Sequence, residues 1–186
     1  MNSSLAPLAL LAASLLLPAC GPSLASLHDR AAVGQVQPDA PLHARHAITI
    51  DAPIETVWAR LTDVASWPTW QPGVRRVEPP ASLAPGASFR WDNGGTAITS
   101  TLAVVRPNEL LGWTGQASTA RAIHLCRLSE PTPGQTLVEA DETMDGFLLT
   151  WFYGQPDLDR GMVAWLDGLK AASEAPALPR PPTAAR

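Results

Sequence analysis

Histidine is the side chain best suited to move a proton near neutral pH, and His124 has the neighbours that suggest a use. It lies in the run Arg121–Leu128 and shares strand parity with Ala122, Cys126 and Leu128, while Arg121 and Arg127 point the other way. A turn cluster, Pro131-Thr132-Pro133-Gly134, folds the next run, Thr136–Met144, back alongside it. That brings Asp141 or Glu142 opposite His124. The choice between them stays open, because a slip of one residue exchanges the faces of a strand. A histidine beside a carboxylate can serve as general acid and base; it can equally fix register or hold a ligand head group. His124 and Glu142 are thus the candidate catalytic residues, with a binding role as the plainer alternative.

Other chemistry finds little support. His43 and His46 are three apart on a strand and face opposite ways, so with His124 they make no ligand set; no metal and no cofactor is expected. No Cys-x-x-Cys, His-Glu-x-x-His, Gly-x-Ser-x-Gly or phosphate-binding glycine loop occurs. A formal charge of -4 gives no basic surface for nucleic acid. Seven tryptophans stand against three Phe and one Tyr, so tryptophan must supply most of the aromatic surface. Trp91, Trp113, Trp151 and Trp165 could line a cavity for flat or apolar ligands, or simply fill a core. Trp67 and Trp70 are expected to plug the end of a sheet, and Arg90 to face solvent.

These residues need elements to hold them. Ala44–Ile50 alternates and reads as a strand; Asp51-Ala52-Pro53 opens a helix with Ile54, Val57, Trp58 and Leu61 on one face. A short helical turn covers Val64–Trp67. Strands follow over Val74–Glu78, Ser88–Asp92, Thr96–Val105, Leu110–Gly115, Arg121–Leu128 and Thr136–Met144, with Asn93-Gly94 as a hairpin signal. The last element, Pro156–Ala172, is amphipathic: Leu158, Met162, Trp165, Leu166 and Leu169 form its apolar stripe. Beside that stripe runs a row of small residues, Gly161, Ala164, Gly168 and Ala172. Glycine inside a helix costs about 1 kcal/mol against alanine, so the row implies close packing or room for a ligand. An antiparallel meander with helices on one face is an α+β layer architecture.

The order of elements resembles the START-like, or SRPBCC, superfamily, often labelled polyketide cyclase/dehydrase and lipid transport. The residues that carry the resemblance are Ile50-Asp51-Ala52-Pro53-Ile54-Glu55-Thr56-Val57-Trp58, Leu61-Thr62-Asp63 and Trp67-Pro68-Thr69-Trp70. Pro85-Gly86-Ala87-Ser88-Phe89, Leu111-Gly112-Trp113 and Trp165-Leu166-Asp167-Gly168-Leu169-Lys170 continue it. The resemblance implies a helix-grip fold: a curved antiparallel sheet wrapped around a long C-terminal helix, with a cavity between. It implies lipids, hormones or polyketides as ligands, and for some members cyclisation or dehydration. It brings no shared catalytic signature. Gly154-Gln155-Pro156 departs from the pattern and is expected to kink or shorten the start of the last helix.

The first residues concern location. Leu5–Leu17 is almost wholly apolar, too short to span a bilayer, and followed by Pro18-Ala19-Cys20-Gly21. That layout suits a signal peptide over residues 1–19 and resembles a lipobox with Cys20 as the lipidated residue. An ordinary secretion signal is the alternative. Residues 20–43 read as a tether, 44–174 as the domain, and 175–186, with four prolines in Ala175–Arg186, as a disordered tail.

Together these features describe an exported binding protein for a small hydrophobic molecule. It would be anchored through Cys20 and face the periplasm or cell surface, or else be soluble there. Its ligand would touch Trp91, Trp113, His124, Glu142, Trp165 and Gly168. The alternatives are a cyclase- or dehydratase-type enzyme using His124 with Asp141 or Glu142, and an interaction module with a filled cavity.

Overall fold

Alternating apolar and polar residues build seven strands in the computed structural model, which describes residues 21–118 and 120–175. The strands are β1 (Leu42–Ile50), β2 (Val74–Glu78), β3 (Ser88–Asn93), β4 (Thr96–Arg106), β5 (Leu110–Ala117), β6 (Ala120–Thr132) and β7 (Gln135–Gly146). They form one antiparallel sheet in the order β1-β7-β6-β5-β4-β3-β2. The helices among the described residues are α1 (Leu24–Ala32), α2 (Ile54–Thr62), α3 (Leu149–Phe152) and α4 (Gln155–Glu174), with a 3-10 segment at Val64–Thr69. This is the helix-grip architecture: a curved sheet holding the C-terminal helix on its inner face.

The turns explain the registers. The β3–β4 loop is Gly94-Gly95, with φ of 59° and 87°, one residue later than the Asn93-Gly94 expectation. A tight two-residue hairpin needs positive φ at both central positions, and two glycines supply it without steric cost. The β6–β7 loop is Pro133-Gly134, so both strands run on past the expected ends.

On the inner face the predicted stripe of α4 is the buried one: Leu158, Met162, Trp165, Leu166 and Leu169 are all inside. The helix starts at Gln155. Gly154 is its N-cap, and the Asp157 carboxylate accepts from the Gly154 amide at 2.8 Å. The expected disturbance at Gly154–Pro156 is a break between the single turn α3 and the start of α4. Trp67 is fully buried beneath α4 and meets Phe89, Trp91, Trp113 and Trp165 at centroid distances of 4.8–5.7 Å. It belongs to the centre of the core rather than the end of the sheet.

Two expectations need correction. Residues 20–43 are not simply a tether. Ser23 caps α1 by accepting from the Ser26 amide at 3.1 Å, and Leu27 and Ala31 are buried. Nor do the helices keep to one face, since α1 packs against the outer side of β4, β5 and β6. There it covers Ala103, Val104, Leu110, Ile123 and Leu125, a second core that would otherwise be exposed to water. Arg127 holds the segment by donating to the Gly34 carbonyl, and the Gln37 amide donates to Thr143 Oγ1 at 3.2 Å. The segment 1–19, Cys20 and residues 176–186 lie outside the described residues.

Candidate functional site

A cavity of about 590 Å³ lies between the inner face of the sheet and α4. Trp91 and Ile98 form one wall, Trp113 and His124 the floor, and Leu158, Gly161, Met162, Ala164 and Trp165 the helix side. Met144, Leu149, Phe152, Tyr153, Gln116, Ala117 and Arg121 also line it, and the exposed Phe152 stands at an opening. Strand parity puts Ala122, His124, Glu142 and Met144 on the same face, and α4 brings its small residues over them. Another hollow, of about 580 Å³, lies across β2–β4 and is walled by Arg75, Arg76, Glu78, Arg90 and Asp92. It is charged and open, with Arg90 exposed as expected.

The β6–β7 register pairs His124 with Glu142 and leaves Asp141 on the other face, where it meets His43 at 2.8 Å. His124 Nδ1 lies 3.1 Å from Glu142 Oε2, and Nε2 lies 3.3 Å from Cys126 Sγ. The ring stacks on Trp113 with 4.3 Å between centroids and 13° between planes, and Trp165 meets it at 5.8 Å. Burial opposes charge on this imidazole. The attraction of the Cys126 sulfur and of the Glu142 carboxylate, with hydrogen bonds to both, outweighs it and raises the pKa to about 10. An imidazolium here donates from both nitrogens and offers its charge to the Trp113 face. Tyr153, on the same wall, has its pKa pushed up to about 12 by burial and then by Glu142 and Asp157, so its hydroxyl stays a donor.

This pair is better arranged to hold than to shuttle. A general acid or base works best with a pKa near the ambient pH, and His124 lies well above it. Cys126 completes a Cys-His-Glu sequence of contacts but is fully buried and does not reach the cavity wall. Its parity with His124, two residues away, was the signal for that contact, which sequence reasoning passed over.

Trp91, Trp113, Trp165, His124 and Glu142 are brought together as expected. Gly168 is not. A Cβ there would lie 2.8 Å from the Trp70 carbonyl oxygen and 3.3 Å from its ring, so this glycine lets the 3-10 segment pack on α4. Gly161 has the open position, where an added Cβ would meet only the Tyr153 hydroxyl, at 3.6 Å. Trp151 is 76% exposed and lies off the cavity. Leu149, Phe152 and Tyr153 were missed, because the chain reversal after β7 decides their positions; Met144 was missed although its strand parity with Glu142 was there to find it. Among the described residues no group of three or more His, Cys, Asp or Glu side chains could hold a metal. His46, on the inner side of β1, meets Asp159 of α4 at 2.9 Å.

A curved sheet, a gripped helix and a walled cavity define a helix-grip protein. The chain belongs to the polyketide cyclase/dehydrase and lipid transport family, which matches it over residues 41–174. Similar folds occur in a hypothetical protein from Helicobacter pylori (TM-score 0.66, 14% identity, covering 73% of this chain and 90% of that one). They also occur in a START superfamily protein from Mycobacterium smegmatis (0.56, 17%, 71% and 94%). The Zhui aromatase/cyclase from Streptomyces sp. R1128 is a third (0.56, 19%, 71% and 93%). At these identities the likeness is one of fold. Among curated proteins nothing matches the chain.

Proposed function

We propose that this protein binds a small hydrophobic molecule, lipid or polyketide-like, between the sheet and α4, and that a lipidated Cys20 anchors it to a membrane facing the periplasm or cell surface. The observation that carries the binding reading is the cavity of about 590 Å³, walled by three tryptophans and aliphatic side chains around one charged pair. Ligand sites are commonly of this size and mostly apolar, with a few polar groups that fix orientation. His124, Glu142 and Tyr153 would orient the polar end of the ligand, and the tryptophans would cover its apolar body. The apolar run Leu5–Leu17 ending at Ala19-Cys20 supports the anchor.

Native mass spectrometry of protein purified from its host tests the binding reading. A co-purified apolar molecule is expected. Protein that is empty and takes up no N-phenylnaphthylamine would overturn it. Replacement of Cys20 by Ser tests the anchor and should move the protein from the membrane to the soluble fraction. A second reading, a cyclase or dehydratase, rests on the His124–Glu142 contact at 3.1 Å beside the cavity. Its test is a turnover that His124→Gln abolishes.

A further inference from the structure

Large apolar side chains left in water usually mark an interaction surface when they are contiguous. Among the described residues, Phe147, Leu148, Trp151 and Phe152 are 76%, 37%, 76% and 85% exposed. All four fall within one six-residue stretch around the single turn α3. We propose that this turn docks into the surface of a lipid bilayer and sets the mouth of the cavity against it.

Three placements converge on that edge of the molecule. Phe152, which is exposed, and Leu149 both line the cavity, so the turn that carries the exposed rings borders its opening. The start of the described chain lies at the same rim. Arg121, which also lines the cavity, donates to the Pro22 carbonyl at 2.6 Å. A side chain added at Gly21 would collide with the Asp145 carboxylate, two residues before Phe147. The third is the sequence that precedes Gly21. It holds the apolar run Leu5–Leu17 and then Cys20, so a lipid carried by Cys20 would enter the domain next to Gly21, beside Asp145. Tryptophan favours the membrane–water interface, where its aromatic body is desolvated and the indole N–H still finds partners, and phenylalanine and leucine beside it add apolar surface that buries at the headgroup boundary. A bilayer is therefore the occupant that the chain itself brings to this patch. An apolar ligand would then pass between bilayer and cavity with little exposure to water.

The proposal extends the binding reading above, but its test does not depend on that reading. The full-length chain is reconstituted into phosphatidylcholine vesicles with or without bromine on the upper acyl chain, and tryptophan emission is recorded for wild type and Trp151→Phe. Brominated lipid should quench wild type, and most of that quenching should vanish with Trp151. Phe152→Asp, which places a charge at the interface, should reduce the Trp151-dependent quenching several-fold while the thermal melt stays within about 2 °C, as for an exposed site. Quenching that is the same with and without Trp151 overturns the docking. So does a patch covered by a second copy of the chain, seen as a dimer by light scattering that Phe152→Asp dissolves. If docking fails while native mass spectrometry still finds a ligand, the binding reading stands alone. If no ligand is found but Trp151 is quenched, the docking stands alone.

Discussion

Gly161 and Gly168 lie seven residues apart on α4, so the same substitution should have opposite effects at the two. At Gly161 a new side chain enters open cavity, with the Tyr153 hydroxyl 3.6 Å from its first carbon. Leucine is a better helix former than glycine by roughly 0.8 kcal/mol, and nothing in the cavity opposes it. For a domain of this size about 1 kcal/mol corresponds to roughly 2–4 °C, so Gly161→Leu should raise the melting temperature by about 2–3 °C. Its four added carbons would occupy the space between Tyr153 and the helix, and N-phenylnaphthylamine affinity should fall at least ten-fold. At Gly168 the first carbon would lie 2.8 Å from the Trp70 carbonyl. A backbone oxygen cannot rotate away, so the cost falls at the upper part of the usual 1–3 kcal/mol for overpacking. After the helix gain the net loss is about 1–2 kcal/mol, a drop of roughly 2–8 °C for Gly168→Leu. Melts and probe titrations on both variants decide the matter. Melting temperatures that move in the same direction, or probe binding untouched by Gly161→Leu, would refute the reasoning.

Two further outcomes follow from the same geometry. His124 has a folded pKa raised to about 10 against 6.5 unfolded, so its ion pair stabilises the protein fully below about pH 6.5, and that contribution is lost as pH rises through about 10. Urea midpoints should fall over this window in wild type and stay much flatter in His124→Gln; parallel profiles would refute the raised pKa. Leu27→Ala should cost about 2–5 kcal/mol by chemical denaturation, because Leu27 is 1% exposed in the outer core; a loss under about 0.5 kcal/mol, the range of an ordinary surface site, would return residues 20–43 to the role of a plain tether.

The sequence by itself determined the strands, the order of elements and the buried stripe of α4. These depend on repeats of two and 3.6 residues that act within a single element. It also placed His124 on the inner face, since parity with Ala122 and Cys126 needs no partner strand. What the partner strand decides was not legible: the choice of Glu142 over Asp141 follows from the two-residue loop Pro133-Gly134 together with a one-residue register shift between Ser129 and Thr132, and sequence leaves that register open by one. The helix α1 was missed although Leu24, Leu27 and Ala31 keep helical spacing, because nine residues hold only one such repeat among polar neighbours. The structure shows what it does in the unbroken burial of Leu110–Gly115, a strand covered on both faces. Gly161 and Gly168 look alike along the chain, and only the approach of Trp70 separates them. Trp151 and Trp165 likewise have the same chemistry; the reversal after β7 turns the first to solvent and leaves the second over His124, because burial is settled by what arrives from distant parts of the chain.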